Sequence, residues 1–174
     1  MGSDAAKNTI FLADYTPFGF VLHRTDLRVF LHEGYARVEA DIELERAIGS
    51  DPDASLTLHG VDLELESLAL DDCPISEAAY RFDGELLVID GCPSGKFRLS
   101  TKVRIYPERN TALEGLYSSN GMYCTQCEAE GFRKITFYPD RPDVMSRFTT
   151  RIEADKTRFP VLLANGNLMK SADL

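Results

Sequence analysis

Tyr35-Ala-Arg-Val-Glu-Ala-Asp-Ile-Glu-Leu-Glu-Arg46 alternates without a break. Val38, Ala40, Ile42 and Leu44 fall on one face, while Arg37, Glu39, Asp41, Glu43 and Glu45 fall on the other. A period of two places the apolar set against a core and the charged set in water, the mark of a half-buried strand. Just upstream, Leu27, Val29 and Leu31 alternate with Asp26, Arg28 and Phe30, and His32-Glu33-Gly34 separates the two runs. The pair reads as a hairpin turning at Gly34.

The same period returns along the chain. Leu56-Thr57-Leu58 is short, and Val61, Leu63 and Leu65 alternate with acidic residues. Glu85 to Ile89 follows an Asp83-Gly84 turn, and Phe97, Leu99, Val103 and Ile105 alternate with Arg98, Ser100, Lys102 and Arg104. Phe132 to Tyr138, Phe148 to Ala154 and Phe159 to Leu163 read as further strands. Turn-forming clusters separate these runs, at Gly49 to Pro52, Asp71 to Pro74, Gly91 to Gly95 and Asn165 to Asn167. One segment invites a helix of about two turns, where Asp140-Arg141-Pro142-Asp143 supplies a cap and an early proline. The fold class expected is all-β, an antiparallel saddle-like β-sandwich assembly with at most one short helix. Its core is expected to draw on Val38, Ile42, Leu63, Leu65, Leu99, Val103 and Ile105.

Composition narrows the function classes. The 174 residues suit a single domain of ordinary size, and 28 acidic against 19 basic side chains leave a net charge of −9. That balance argues against nucleic-acid binding, which needs a basic face to neutralise phosphates. No apolar stretch approaches the roughly 18 residues that a membrane span requires. Met1 to Thr9 lacks an apolar signal region, and four cysteines are too few for a disulfide scaffold at this length. The expectation is a cytoplasmic protein with reduced thiols. The turn-like run from Asn165 to Leu174 stops abruptly, so residues 1–174 read as one β domain cut from something longer.

Catalytic motifs are scarce. Cys124-Thr-Gln-Cys127 has the spacing of a redox dithiol or half a zinc site, but no strand-then-helix pattern surrounds it. Cys73 and Cys92 do not supply a second ligand pair at the required spacing. Reduced thiols packed near a loop are the plainer reading. His32-Glu33 begins a His-Glu-x-x-His zinc signature, but Ala36 stands where the second histidine is required. Glu114, Glu128 and Glu130 lie among small and aromatic residues rather than in a charge run. One such carboxylate could receive a cation in a cleft. Alternatively, all three are solvated or paired with Arg133 and Arg141. On the residues alone two classes stand side by side: a stand-alone β-sandwich interaction module, and a Cys-x-x-Cys redox or zinc protein.

Several separated stretches, in order, resemble the N-terminal domain of the bacterial-type aminopeptidase N family of zinc-dependent alanyl aminopeptidases. They are Thr111 to Tyr117, Cys124 to Arg133, Asp140 to Asp143, Phe148-Thr-Thr-Arg-Ile152, and Phe159-Pro160 leading into Leu163-Ala-Asn-Gly-Asn167. The resemblance implies a saddle-like β domain whose partner is its own downstream zinc-binding catalytic domain. The metal would belong to that domain, because its His-Glu-x-x-His motif, distal glutamate and Gly-Ala-Met-Glu-Asn motif are not in this sequence. By itself the chain is expected to bind no zinc and to hydrolyse nothing. The resemblance also implies that the Glu128 carboxylate binds the free α-amino group of a peptide substrate, with Gln126 lining the pocket for its first side chain.

Overall fold

The computed structural model describes residues 11–173. Among these residues eleven strands run in chain order: β1 (Phe20–Leu31), β2 (Ala36–Arg46), β3 (Leu56–His59), β4 (Glu64–Leu70), β5 (Cys73–Pro74), β6 (Tyr80–Asp83), β7 (Leu86–Ile89), β8 (Phe97–Ile105), β9 (Gly115–Ser119), β10 (Met122–Gln126) and β11 (Arg147–Ala154). They form a six-stranded sheet in the order β11-β1-β2-β8-β4-β5, a three-stranded sheet β3-β7-β6, and the hairpin β9-β10. All pairings are antiparallel except that of β11 with β1, which is parallel.

The all-β expectation holds, and β2 and β8 show why it was readable. Both are central strands with one wet face, so Val38, Ile42, Leu44, Leu99 and Val103 are fully buried while their neighbours are not. Strand β1 hides its pattern behind a register shift between Leu22 and Arg24. Leu22 and Thr25 both point inward across it, and the extra residue restarts the alternation. Leu56, Leu58, Leu87 and Ile89 of the smaller sheet join the same core as the inner face of the larger one. Leu63 and Leu65 pack against that core only in part, since a second irregularity between Leu65 and Ser67 interrupts β4.

The outer face of the larger sheet carries cross-strand ion pairs. Lys102 Nζ lies 3.0 Å from Glu39, Arg28 donates to Asp41 at 2.8 Å, and Arg104 lies 2.7 Å from Glu66. Exposed pairs of this kind contribute about 0–1 kcal/mol each, so the buried face rather than this lattice holds the sheet together.

Three expectations need correction. No α-helix forms at 140–148, where a single turn closes with Val144 N–H on Arg141 O at 3.2 Å. Asp140 turns its carboxylate to Arg133, and Arg141 grips Asp143 through two bonds of 2.9 and 2.8 Å, so neither carboxylate caps a helix. Phe132 to Tyr138 is not a strand but a 3₁₀ turn at Phe132–Lys134 followed by irregular chain. Ile135, Thr136, Phe137 and Tyr138 are all buried in succession, which a half-exposed strand does not allow. Phe159 to Leu163 also lacks strand structure, because no neighbouring strand among the described residues offers it a ladder.

Candidate functional site

The segment from Asn110 to Asp140 is built from the β9-β10 hairpin and the loop that leaves it. Asn120 and Gly121 form its two-residue turn with φ of +49° and +79°, the paired left-handed geometry that suits a twisted hairpin. Gln126 ends β10 opposite Gly115, and residues 127–131 then turn back on themselves with Gly131 N–H on Cys127 O at 2.9 Å. The Glu128–Ala129 peptide is cis.

Two glycines let the feet of this loop close. A Cβ on Gly131 would lie 2.5 Å from Gln126 O, and one on Gly115 would lie 2.6 Å from Lys134 Cβ. Gly115 also sits at φ +68°, in the left-handed region. Gly115→Ala is therefore expected to cost more than the roughly 1–2 kcal/mol of that backbone conformation alone, seen as a fall in thermal midpoint.

The three carboxylates of the segment separate clearly. Glu114 lies 3.4 Å from Lys134, and Glu130 lies 3.4 Å from Arg133. Glu128 is exposed at the tip and makes no ion pair among the described residues. Gln126 is also exposed, and its side-chain N–H donates to Glu128 O at 3.4 Å. Gln126 at the end of β10 and Glu128 on the loop that follows thus lie side by side, with the charge of Glu128 unspent among the described residues. Two surface depressions, of about 430 and 410 Å³, lie away from this loop, one lined by Phe30, His32 and Arg158 and the other by Phe82, Tyr106 and Arg109.

Beneath the loop lies a buried polar group that the sequence did not announce. Asp140 Oδ2 accepts both the backbone N–H of Arg133 at 3.1 Å and its Nε–H at 3.0 Å, while Arg133 Nη2 donates to Asp140 O at 3.1 Å. Asp140 N–H in turn donates to His59 Nδ1 at 3.2 Å. Burial, then the nearby Arg133 cation, holds the His59 pKa below its ordinary 6.5. The unfolded chain consequently binds this proton first, and stability is lost as pH falls from about 6.5 toward the depressed folded value. His59→Asn should flatten that part of the stability profile, measured by urea unfolding between pH 7 and 5.

The cysteines do not form a reactive centre. All four are free thiols, with Cys73 on β5 and Cys92 donating to Ile89 O at 3.7 Å. Burial, and next the charge of Asp140, pushes the Cys127 thiol up, opposite to what a redox thiolate requires. His32 lies in the β1-β2 turn, stacked on Tyr35 at 4.7 Å between ring centroids. Among the described residues no three His, Cys, Asp or Glu side chains converge as metal ligands.

Residues 22–174 match the peptidase M1 N-terminal domain, and the chain belongs to that family. It is 48% identical over 163 residues to aminopeptidase N of Caulobacter vibrioides, covering 94% of this chain and 18% of that protein. It is 51% identical over 122 residues to aminopeptidase N of Escherichia coli, covering 70% of this chain and 14% of that one. The crystal structure of Legionella pneumophila aminopeptidase A in complex with aspartic acid superposes with a TM-score of 0.86 at 29% identity, over 94% of this chain and 19% of that one. The chain thus spans less than a fifth of the length of these relatives.

Proposed function

We propose that residues 1–174 form the N-terminal, substrate-anchoring domain of a zinc aminopeptidase that removes N-terminal amino acids from peptides. The observation that carries this reading is the Glu128 carboxylate, exposed at the tip of a tightly footed loop with no ion pair among the described residues, in a chain of this family. At neutral pH a peptide's amino terminus is largely an ammonium group, and a carboxylate offers it a charge-assisted hydrogen bond. Holding the amine at Glu128 fixes the distance to the first peptide bond, so that only one residue is presented for cleavage. Gln126, two positions away on the same loop, lines the space for the first side chain.

Among the described residues no ligand set converges that would hold zinc. In the proposal the metal is held by a downstream catalytic domain, which is this domain's partner along with free-amine peptides. Nucleic acid and membrane have no place in it: the net charge is −9, and no helix among the described residues is long and apolar enough to cross a membrane. Free thiols accord with work in the cytoplasm.

The test compares a longer chain carrying this domain with the 174 residues alone. The longer chain should bind zinc and release amino acids from free-amine peptides but not from N-acetylated ones, while the short chain does neither. An inert, zinc-free long form would instead favour an interaction module. Gln126→Ala should alter the ranking among first side chains while leaving discrimination against the acetylated amine intact.

A further inference from the structure

We propose that Arg133 and Asp140 are positioning residues that set the reach of the Glu128 carboxylate; this rests on reading Glu128 as the amine anchor. Glu128 itself has no side-chain partner among the described residues, so its placement depends on the two feet of the loop. One foot is Gln126, fixed by the β9-β10 ladder and by the close approach of Gly131. The other is Arg133, where the guanidinium spans from Glu130 on the loop at 3.4 Å to Asp140 at 3.0 Å. The Arg133 and Asp140 side chains are only 14% and 10% exposed, and Val61 N–H adds a 2.9 Å bond to Arg133 O from the start of the neighbouring segment.

A buried ion pair is an expensive way to gain stability, since apolar residues of the same volume often serve as well. It does fix direction. The Asp140 carboxylate takes a backbone and a side-chain donor of the same residue, and the Arg133 Nη2 that donates to Asp140 O also lies 3.4 Å from the Glu130 carboxylate. The loop is thereby tied to the core at a defined angle four to five residues after the anchor rather than being left to swing. Phe132, edge-on to Tyr138 at 4.9 Å and to Phe148 at 5.8 Å, pins the adjacent position against β11.

The experiment is a double-mutant cycle in the longer enzyme, with kcat/KM expressed per active site and with free L-alanine as a competitive inhibitor. Asp140→Asn keeps the shape but removes the charge, and Arg133→Lys keeps the charge but removes the fork. Each is expected to lower kcat/KM about ten- to a hundredfold, the scale of a displacement near 1 Å, and to raise the alanine inhibition constant. In a Glu128→Gln background the same changes should cost less than about twofold, because they act through the carboxylate already lost. A purely structural role would remove active sites and leave the inhibition constant unmoved, which overturns the proposal. So do losses that multiply with that of Glu128→Gln. If Glu128→Gln alone changes nothing, the anchor reading fails first. Should the buried variants not fold, Glu130→Gln releases the exposed arm. It should cost about two- to threefold in the wild-type background and nothing beyond Glu128→Gln, consistent with an exposed pair, and no loss in either background overturns the proposal.

Discussion

Glu128→Gln, in an enzyme that carries this domain, should lower kcat/KM for a free-amine substrate by about ten- to a hundredfold. The replacement keeps size and hydrogen-bonding capacity and removes only the charge. A hydrogen bond to a charged group contributes about 1.5–3 kcal/mol, and each 1.4 kcal/mol is tenfold. The loop makes the experiment clean, because Glu128 is exposed and, among the described residues, holds no ion pair whose loss would disturb the fold. An N-acetylated substrate has no ammonium to lose, so the mutant should narrow the gap between the two substrates. Unchanged activity on the free amine would remove Glu128 from the role of anchor.

The second large effect concerns the core. Ile42→Ala should cost about 2–5 kcal/mol, a sizeable share of the 5–15 kcal/mol that holds a typical domain folded. Ile42 is fully buried in β2, paired with Thr25 of β1 on one side and Leu99 of β8 on the other. Those neighbours belong to continuous strands and cannot collapse into the space left behind. The urea midpoint should fall with an unchanged slope, since the surface exposed on unfolding is nearly the same. A cost under about 1 kcal/mol would mean that the two sheets close around the void.

How much was legible depended on how each segment meets water. Val38 through Leu44 and Phe97 through Ile105 announce themselves because one face is dry and the other wet along their whole length. The β9-β10 hairpin has no such contrast, since most of its residues are half-buried or exposed. Asn120-Gly121 was the available signal for it. Phe132 to Tyr138 looks like a strand because it is apolar, yet it serves as an irregular plug whose aromatic rings fill the core from outside the sheets. At the site, charge spacing alone left Glu114, Glu128 and Glu130 equivalent. Partners separate them, and those partners are set by tertiary approach: Lys134 for Glu114 and Arg133 for Glu130. Asp140 shows the same limit. Its neighbours in sequence suggest a helix cap, while its actual partner lies seven positions earlier across a buried turn.

The parallel pairing of β11 with β1 carries a consequence for how the chain assembles. Thr25 and Ser146, joined by a 2.8 Å hydroxyl contact at this seam, stand 121 positions apart. During synthesis β1 and β2 can close as a local hairpin as soon as they emerge, but the outer edge of β1 stays open until Arg147–Ala154 has left the ribosome. Throughout that interval β1 presents unpaired amides and carbonyls to any other extended chain, the condition that invites mispairing between nascent copies. Closing a contact of such sequence separation is slow relative to hairpin formation, so the arrival of β11 sets the pace at which β1 becomes safe.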